Sequence, residues 1–169
     1  LDSAIQAKQQ LPDAKIELID SQTASLPLAF MALSAARAAK RGASMDECKA
    51  IVETIREHTQ VFFAVDTLEF LHRGGRIGGA TRFLGTALNL KPILTLQEGK
   101  IEAIERVRTS AKAHNRLIEL VKAGANGHAD LNMIGVIGAN AAEAASAVLH
   151  KVMKQFEPDE ILLANLSPV

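Results

Sequence analysis

Residues Leu71 to Gly85 read LHRGGRIGGATRFLG, the densest cluster of chemistry-bearing residues in the chain. Gly74, Gly75, Gly78 and Gly79 bracket Arg76. Glycines give up side-chain packing for backbone freedom, so such a cluster marks a tight turn, a helix end or a ligand lying close to the main chain. Gly74, four residues and then Gly79 resembles a phosphate-binding P-loop in spacing. Ala80 stands where that loop needs lysine, and a helix rather than a strand leads in, so the comparison fails. A plain helix–turn–helix joint explains two of the glycines, through capping and close packing. Four around one arginine favour a turn that meets a ligand. Backbone N–H groups opening a helix from Ala80, with Arg76 beside them, would suit an anion.

Other candidates are weaker. Arg106 and Arg108 share one strand face by period two, just before Thr109 opens a helix. Taken alone they read as solvated strand-end arginines. Ser21, Thr23 and Ser25 lie between an expected strand and a helix, where α/β folds place ligand sites. They serve equally well as N-caps, and capping is the stronger reading. His58, His72, His114, His128 and His150 lack metal-ligand spacing, and Cys48 has no companion, so no metal is expected. No nucleophile elbow and no acid–base carboxylate pair stand out.

The elements that must position these residues are set by pattern. DSAIQAKQQL is helical and stops at Pro12. KIELI (15–19) alternates like a strand, and an Ala-rich helix from about Leu26 to Arg41 ends at Gly42. Ser44 and Glu47 have capping-box spacing and open a helix to about His58. VFFAV (61–65) reads as a strand covered on both faces, which implies a parallel sheet. TLEFLHR forms a short helix ended by the first glycine pair. ATRFLGTALNL then places Phe83, Leu84, Ala87 and Leu88 on one helical face. PILTLQEGKIEAIERV reads as two strands joined at Glu98-Gly99. A helix from Thr109 to about Lys122, a strand, a second helix and a last strand complete the pattern. The fold class is α/β in two lobes. Residues 1–65 form an N-terminal lobe with a parallel sheet, incomplete at its start, and residues 66–169 a mixed C-terminal lobe, incomplete at its end.

Composition limits the partners. Nineteen basic and nineteen acidic side chains cancel over 169 residues, and there is no Tyr or Trp. There is no long-range field, and six Phe are the only aromatic residues, too few for the usual base-stacking platforms, so nucleic acid is not expected. A single cysteine fits a reducing, cytoplasmic setting.

The motifs DTLEFLHRGGRI, LNLKPIL, EGKI and VRT, in that order and spacing, closely resemble the DegV family. IDSQTAS followed by a helix and Gly42 fits as well, and the likeness covers essentially the whole chain. The resemblance implies a two-domain α/β carrier that binds one long-chain fatty acid in a tunnel between its domains. It also implies a partner, a separate fatty-acid kinase that phosphorylates the carboxylate, so the carrier is not itself an enzyme. No cofactor is implied beyond the lipid, and peripheral membrane contact during lipid exchange fits the scheme. Arg76 in GGRI and Arg108 in VRT match the family arginines near the head group, where they face the kinase or the acyl phosphate. Gly75, Gly78, Ser21 and Ser25 are candidate backbone or hydroxyl contacts. Phe83, Leu84, Ala87 and Leu88 are candidates for the acyl-chain wall. The family's head-group hydroxyls and its histidine fall in segments that this chain does not carry. Two other readings stand beside this one. They are a small stand-alone hydrolase or phosphotransferase using Ser21 or Arg76, and a non-catalytic regulatory interaction module.

Overall fold

A computed structural model describes residues 1–85, 90–125 and 131–166. The chain forms two compact units, Leu1–Thr59 and Gln60–Val169.

The described part of the first unit is helical. Helix α1 (Asp2–Gln9) precedes Pro12. Helix α2 (Ser25–Lys40) buries Leu26, Phe30, Met31 and Ala38, a face spaced mostly by four residues. It ends in a Schellman motif. Gly42 adopts φ +95°, its N–H donates to the Ala39 carbonyl at 2.9 Å, and the Ala43 N–H donates to Ala38 at 3.1 Å. Helix α3 (Met45–His58) opens with the expected capping box. The Glu47 N–H donates to Ser44 Oγ at 3.3 Å, and the Glu47 carboxylate accepts from the Ser44 N–H at 2.7 Å. Helices α2 and α3 pack against each other. The strand expected over residues 15–19 does not form. A strand needs a neighbouring ladder, and the described residues of this unit offer none.

The second unit supplies the sheets. Strand β1 (Phe62–Ala64) pairs antiparallel with β2 (Lys91–Gln97), which pairs antiparallel with β3 (Lys100–Val107). The apolar run 61–65 is therefore the edge strand of an antiparallel sheet, not a buried parallel strand of the first lobe. Its partner lies about thirty residues downstream, beyond what a local pattern reports. Glu98 (φ +50°) and Gly99 (φ +76°) join β2 to β3, with both central residues left-handed as a type I′ turn requires. The register shifts between Ile93 and Leu94, leaving Ile104 as an extra residue on β3. Leu94, Ala103, Leu68 and Ala80 form the buried centre of this half.

Helix α5 (Ser110–Gly124) is capped by Thr109, whose hydroxyl accepts from the Lys112 N–H at 3.2 Å. Strands β4 (Met133–Gly138) and β5 (Glu160–Asn165) pair in parallel through helix α6 (Ala142–Gln155). Ile134, Val136, Ala145, Val152 and Phe156 bury against Ile118 of α5. The α/β class is as expected, but its parallel pairing sits in the second unit.

Candidate functional site

Helix α4 (Glu69–Arg73) leads into the glycine cluster. Its end is a second Schellman motif. Gly75, at φ +67°, donates its N–H to His72 at 3.0 Å, and the Arg76 N–H donates to Leu71 at 2.8 Å. The exposed Arg76 side chain folds back, with Nη1 donating to the Gly74 carbonyl at 2.5 Å. One guanidinium edge thus holds the turn while the rest of the fork faces outward.

The second glycine pair has a different cause. A Cβ on Gly78 would overlap the Ile101 carbonyl oxygen, and one on Gly79 would overlap the Glu102 carboxylate. At Gly78 the clash is with backbone and only glycine fits, whereas at Gly79 it is with the end of a flexible side chain. Helix termination and close approach account for Gly75 and Gly78 without a ligand.

The segment after them is not the expected amphipathic helix. Gly78–Phe83 is a 3₁₀ helix, and Leu84 is already extended at ψ 144°. Phe83 is half-buried and Leu84 exposed, so the two do not share an apolar face. Ala87 and Leu88 lie outside the described residues. The anion cradle expected at Ala80 is absent too. The Ala80 N–H donates to the Ile77 carbonyl at 3.0 Å and its side chain is fully buried. The glycines that pin the segment to β3 hold it in the tighter helix, which rarely runs longer.

Arg106 lies on β3 opposite Pro92, with its guanidinium 4.8 Å from the centre of the Phe83 ring. Arg82 approaches the same ring at 5.3 Å and donates to the Ala103 carbonyl. Arg108 is exposed beyond the last residue of β3, so the shared strand face expected for Arg106 and Arg108 ends at Val107. Sequence pattern missed the role of Arg82. Its link to Ala103 spans 21 residues and has no periodic signature.

In the first unit, Ser21 Oγ donates to the Thr23 carbonyl at 3.1 Å and accepts from the Thr23 N–H at 3.4 Å. The Asp20 carboxylate accepts from the Gln22 N–H at 2.9 Å, an Asx turn. None of the three hydroxyls caps α2. The N-cap residue is Ala24, it carries no side-chain cap, and Ser25 is already the first helical residue at φ +57°. The Ser21 hydroxyl is instead engaged in the loop's own hydrogen bonds. The Thr23 hydroxyl is buried without a partner among the described residues. No base or acid is bonded to Ser21 there, so it is not set up as a nucleophile.

Two ionisable groups are displaced. Ser44, through its backbone N–H and then its hydroxyl, holds the Glu47 carboxyl below the ordinary range. Glu105 and then Glu119 raise Arg116 further. The first closes the cap of α3, and the second ties α5 to β3. Among the described residues no group of His, Cys, Asp and Glu could hold a metal, and no helix is long and apolar enough to cross a membrane.

The family model that matches this chain covers residues 1–169 and is described as "Uncharacterised protein, DegV family". The chain belongs to the DegV family. A DegV domain-containing protein of Clostridium acetobutylicum is 34% identical over 166 residues, 95% of this chain and 56% of that one. Another from Clostridium perfringens is 41% identical over 114 residues, 68% of this chain and 40% of its own length. A solved DegV family protein from Thermus thermophilus, described by its fatty acid binding, superposes with a TM-score of 0.88 at 37% identity. That match covers 98% of this chain and 59% of the other. DegV of Bacillus subtilis, described as a fatty acid binding protein, matches with a TM-score of 0.77 at 31% identity over 95% of this chain and 58% of the other. This DegV chain thus spans about half the length of the curated relatives it matches.

Proposed function

We propose that the DegV protein to which this chain belongs binds one long-chain fatty acid in an apolar tunnel and presents the carboxylate to a separate fatty-acid kinase, which forms the acyl phosphate. The observation that carries this reading is the superposition on the Thermus protein, at 37% identity over 98% of the chain. Physical chemistry supports it. Burying about fifteen methylenes at ~0.8 kcal/mol each favours capture strongly, before the cost of ordering the chain. The carboxylate must keep hydrogen-bond donors, since an unpaired buried charge would cancel much of that gain. Arg76 and Arg108 are exposed guanidiniums suited to the head group or to the phosphate arriving on it. Ser21, Ser25 and the backbone at Gly75 and Gly78 are auxiliary contacts in the same reading, and Phe83 and Leu84 are wall candidates. The chemical step belongs to the kinase, in the cytoplasm, with lipid exchanged at a membrane surface.

The test is native mass spectrometry of the delipidated full-length protein titrated with palmitate. The expected result is uptake at one acid per protein. A protein that carries no acyl ligand and takes none up would overturn the reading.

A further inference from the structure

The two guanidiniums on Phe83 play no part in the acyl-binding reading. Arg82 and Arg106 come from segments more than twenty residues apart and converge on one ring, at 5.3 Å and 4.8 Å from its centroid. Their separation is at most the sum of those distances. Both side chains are exposed, and neither is paired with a carboxylate among the described residues. Strand β3 also carries two acids. Glu105 is bonded by Arg116, and the Glu102 carboxylate lies against Gly79. Arg82 is also tethered through Ala103, so its fork is pre-positioned. On a chain whose charges cancel, two guanidiniums held on one ring make a local concentration of positive charge.

We propose that Arg82 and Arg106, held on the Phe83 ring, form a binding site for a phosphate group, carried by an anionic phospholipid head group or by free phosphate. The stoichiometry of donors selects phosphate. One bidentate fork already satisfies both oxygens of a carboxylate, whereas a tetrahedral oxyanion presents enough oxygens, and enough charge, for two forks. The aromatic ring lowers the entropy cost by holding both side chains before the anion arrives.

The experiment uses the full-length protein, with inorganic phosphate followed by calorimetry and vesicle flotation as the second arm. One set of vesicles is pure phosphatidylcholine and the other contains phosphatidylglycerol. Wild type should bind phosphate, the phosphatidylglycerol vesicles or both, in a salt-sensitive manner. Binding to phosphate alone identifies a free-phosphate site, and binding to the vesicles alone a head-group site. Arg106→Gln should weaken whichever binding is seen by about tenfold, and Arg106→Lys by less, because charge remains without the fork. Phe83→Leu should weaken it as well, by releasing both guanidiniums. Palmitate uptake by the two Arg106 variants should match wild type, which separates this site from the acyl-binding reading. Absence of binding in both arms, or an Arg106→Gln variant that binds like wild type, overturns the proposal.

Discussion

At Arg76, main chain and side chain do different things. The backbone N–H closes the Schellman motif after α4, and the guanidinium needs only one of its donors for the Gly74 carbonyl. Arg76→Ala keeps the backbone bond, so the fold and the acyl-binding surface should survive. In a reconstituted kinase assay we expect fatty-acid affinity within about twofold of wild type and acyl-phosphate formation slowed by about tenfold or more. Unchanged kinetics would remove Arg76 from the reaction. The glycines make a second residue-scale prediction. Gly75→Ala faces open space and meets only the left-handed backbone, a cost of about 1 kcal/mol. Gly78→Ala meets that same backbone and also the Ile101 carbonyl, so about 2–4 kcal/mol is expected. Urea denaturation of the two variants checks the order, and equal losses would contradict the close approach to β3. The sequence makes the cluster visible but not this division of labour. Gly75 answers to its own helix, which a local pattern reports, whereas Gly78 answers to the backbone of Ile101, which it does not.

At the scale of elements, the same contrast separates the correct expectations from the failed ones. The Ser44–Glu47 box, Gly42, Thr109 and the Glu98-Gly99 turn are all closed by neighbours within five residues, and each stands where the pattern puts it. The strand expected at 15–19, the pairing of β1 and the helix after Ala80 depend on distant partners, and each came out differently. The caps lend themselves to two measurements. Thr109→Ala removes the acceptor for the Lys112 N–H and should lower stability by about 1 kcal/mol, seen as a shifted urea midpoint. The Glu47 carboxyl is held below its ordinary 4.5 by the Ser44 N–H. A group depressed in the folded state contributes stability that is present above 4.5 and lost as pH falls through the lower folded value. Glu47→Gln keeps an acceptor but no titration, so its stability should fall less steeply on acidification than that of wild type. Parallel acid titrations followed by circular dichroism decide this. Coincident pH profiles would mean that the box contributes no acid sensitivity.

At the scale of the whole molecule, the two sheets of the second unit differ in how fully they are covered. The antiparallel sheet buries Ile93 and Leu94 completely. The parallel pair is two strands wide and leaves Leu163 and Ile137 exposed at 53% and 38%. Parallel strands are ordinarily covered on both faces, and a two-stranded pair is marginal by itself. The solved Thermus relative is longer, with this chain covering 59% of it, so a larger protein has material to complete such a surface. The family's head-group hydroxyls are likewise expected outside residues 1–169. Acyl burial and carboxylate pairing would then both be deficient in the 169-residue chain. We expect it to bind a fluorescent fatty acid at least tenfold more weakly than the full-length protein, since loss of a single buried-charge partner costs that much or more. Displacement titrations of both species by palmitate, with urea melts to show that each is folded, make the comparison. Equal affinities would place the whole acyl site within residues 1–169 and shift the search for head-group ligands back to Arg76, Arg108, Ser21 and Ser25.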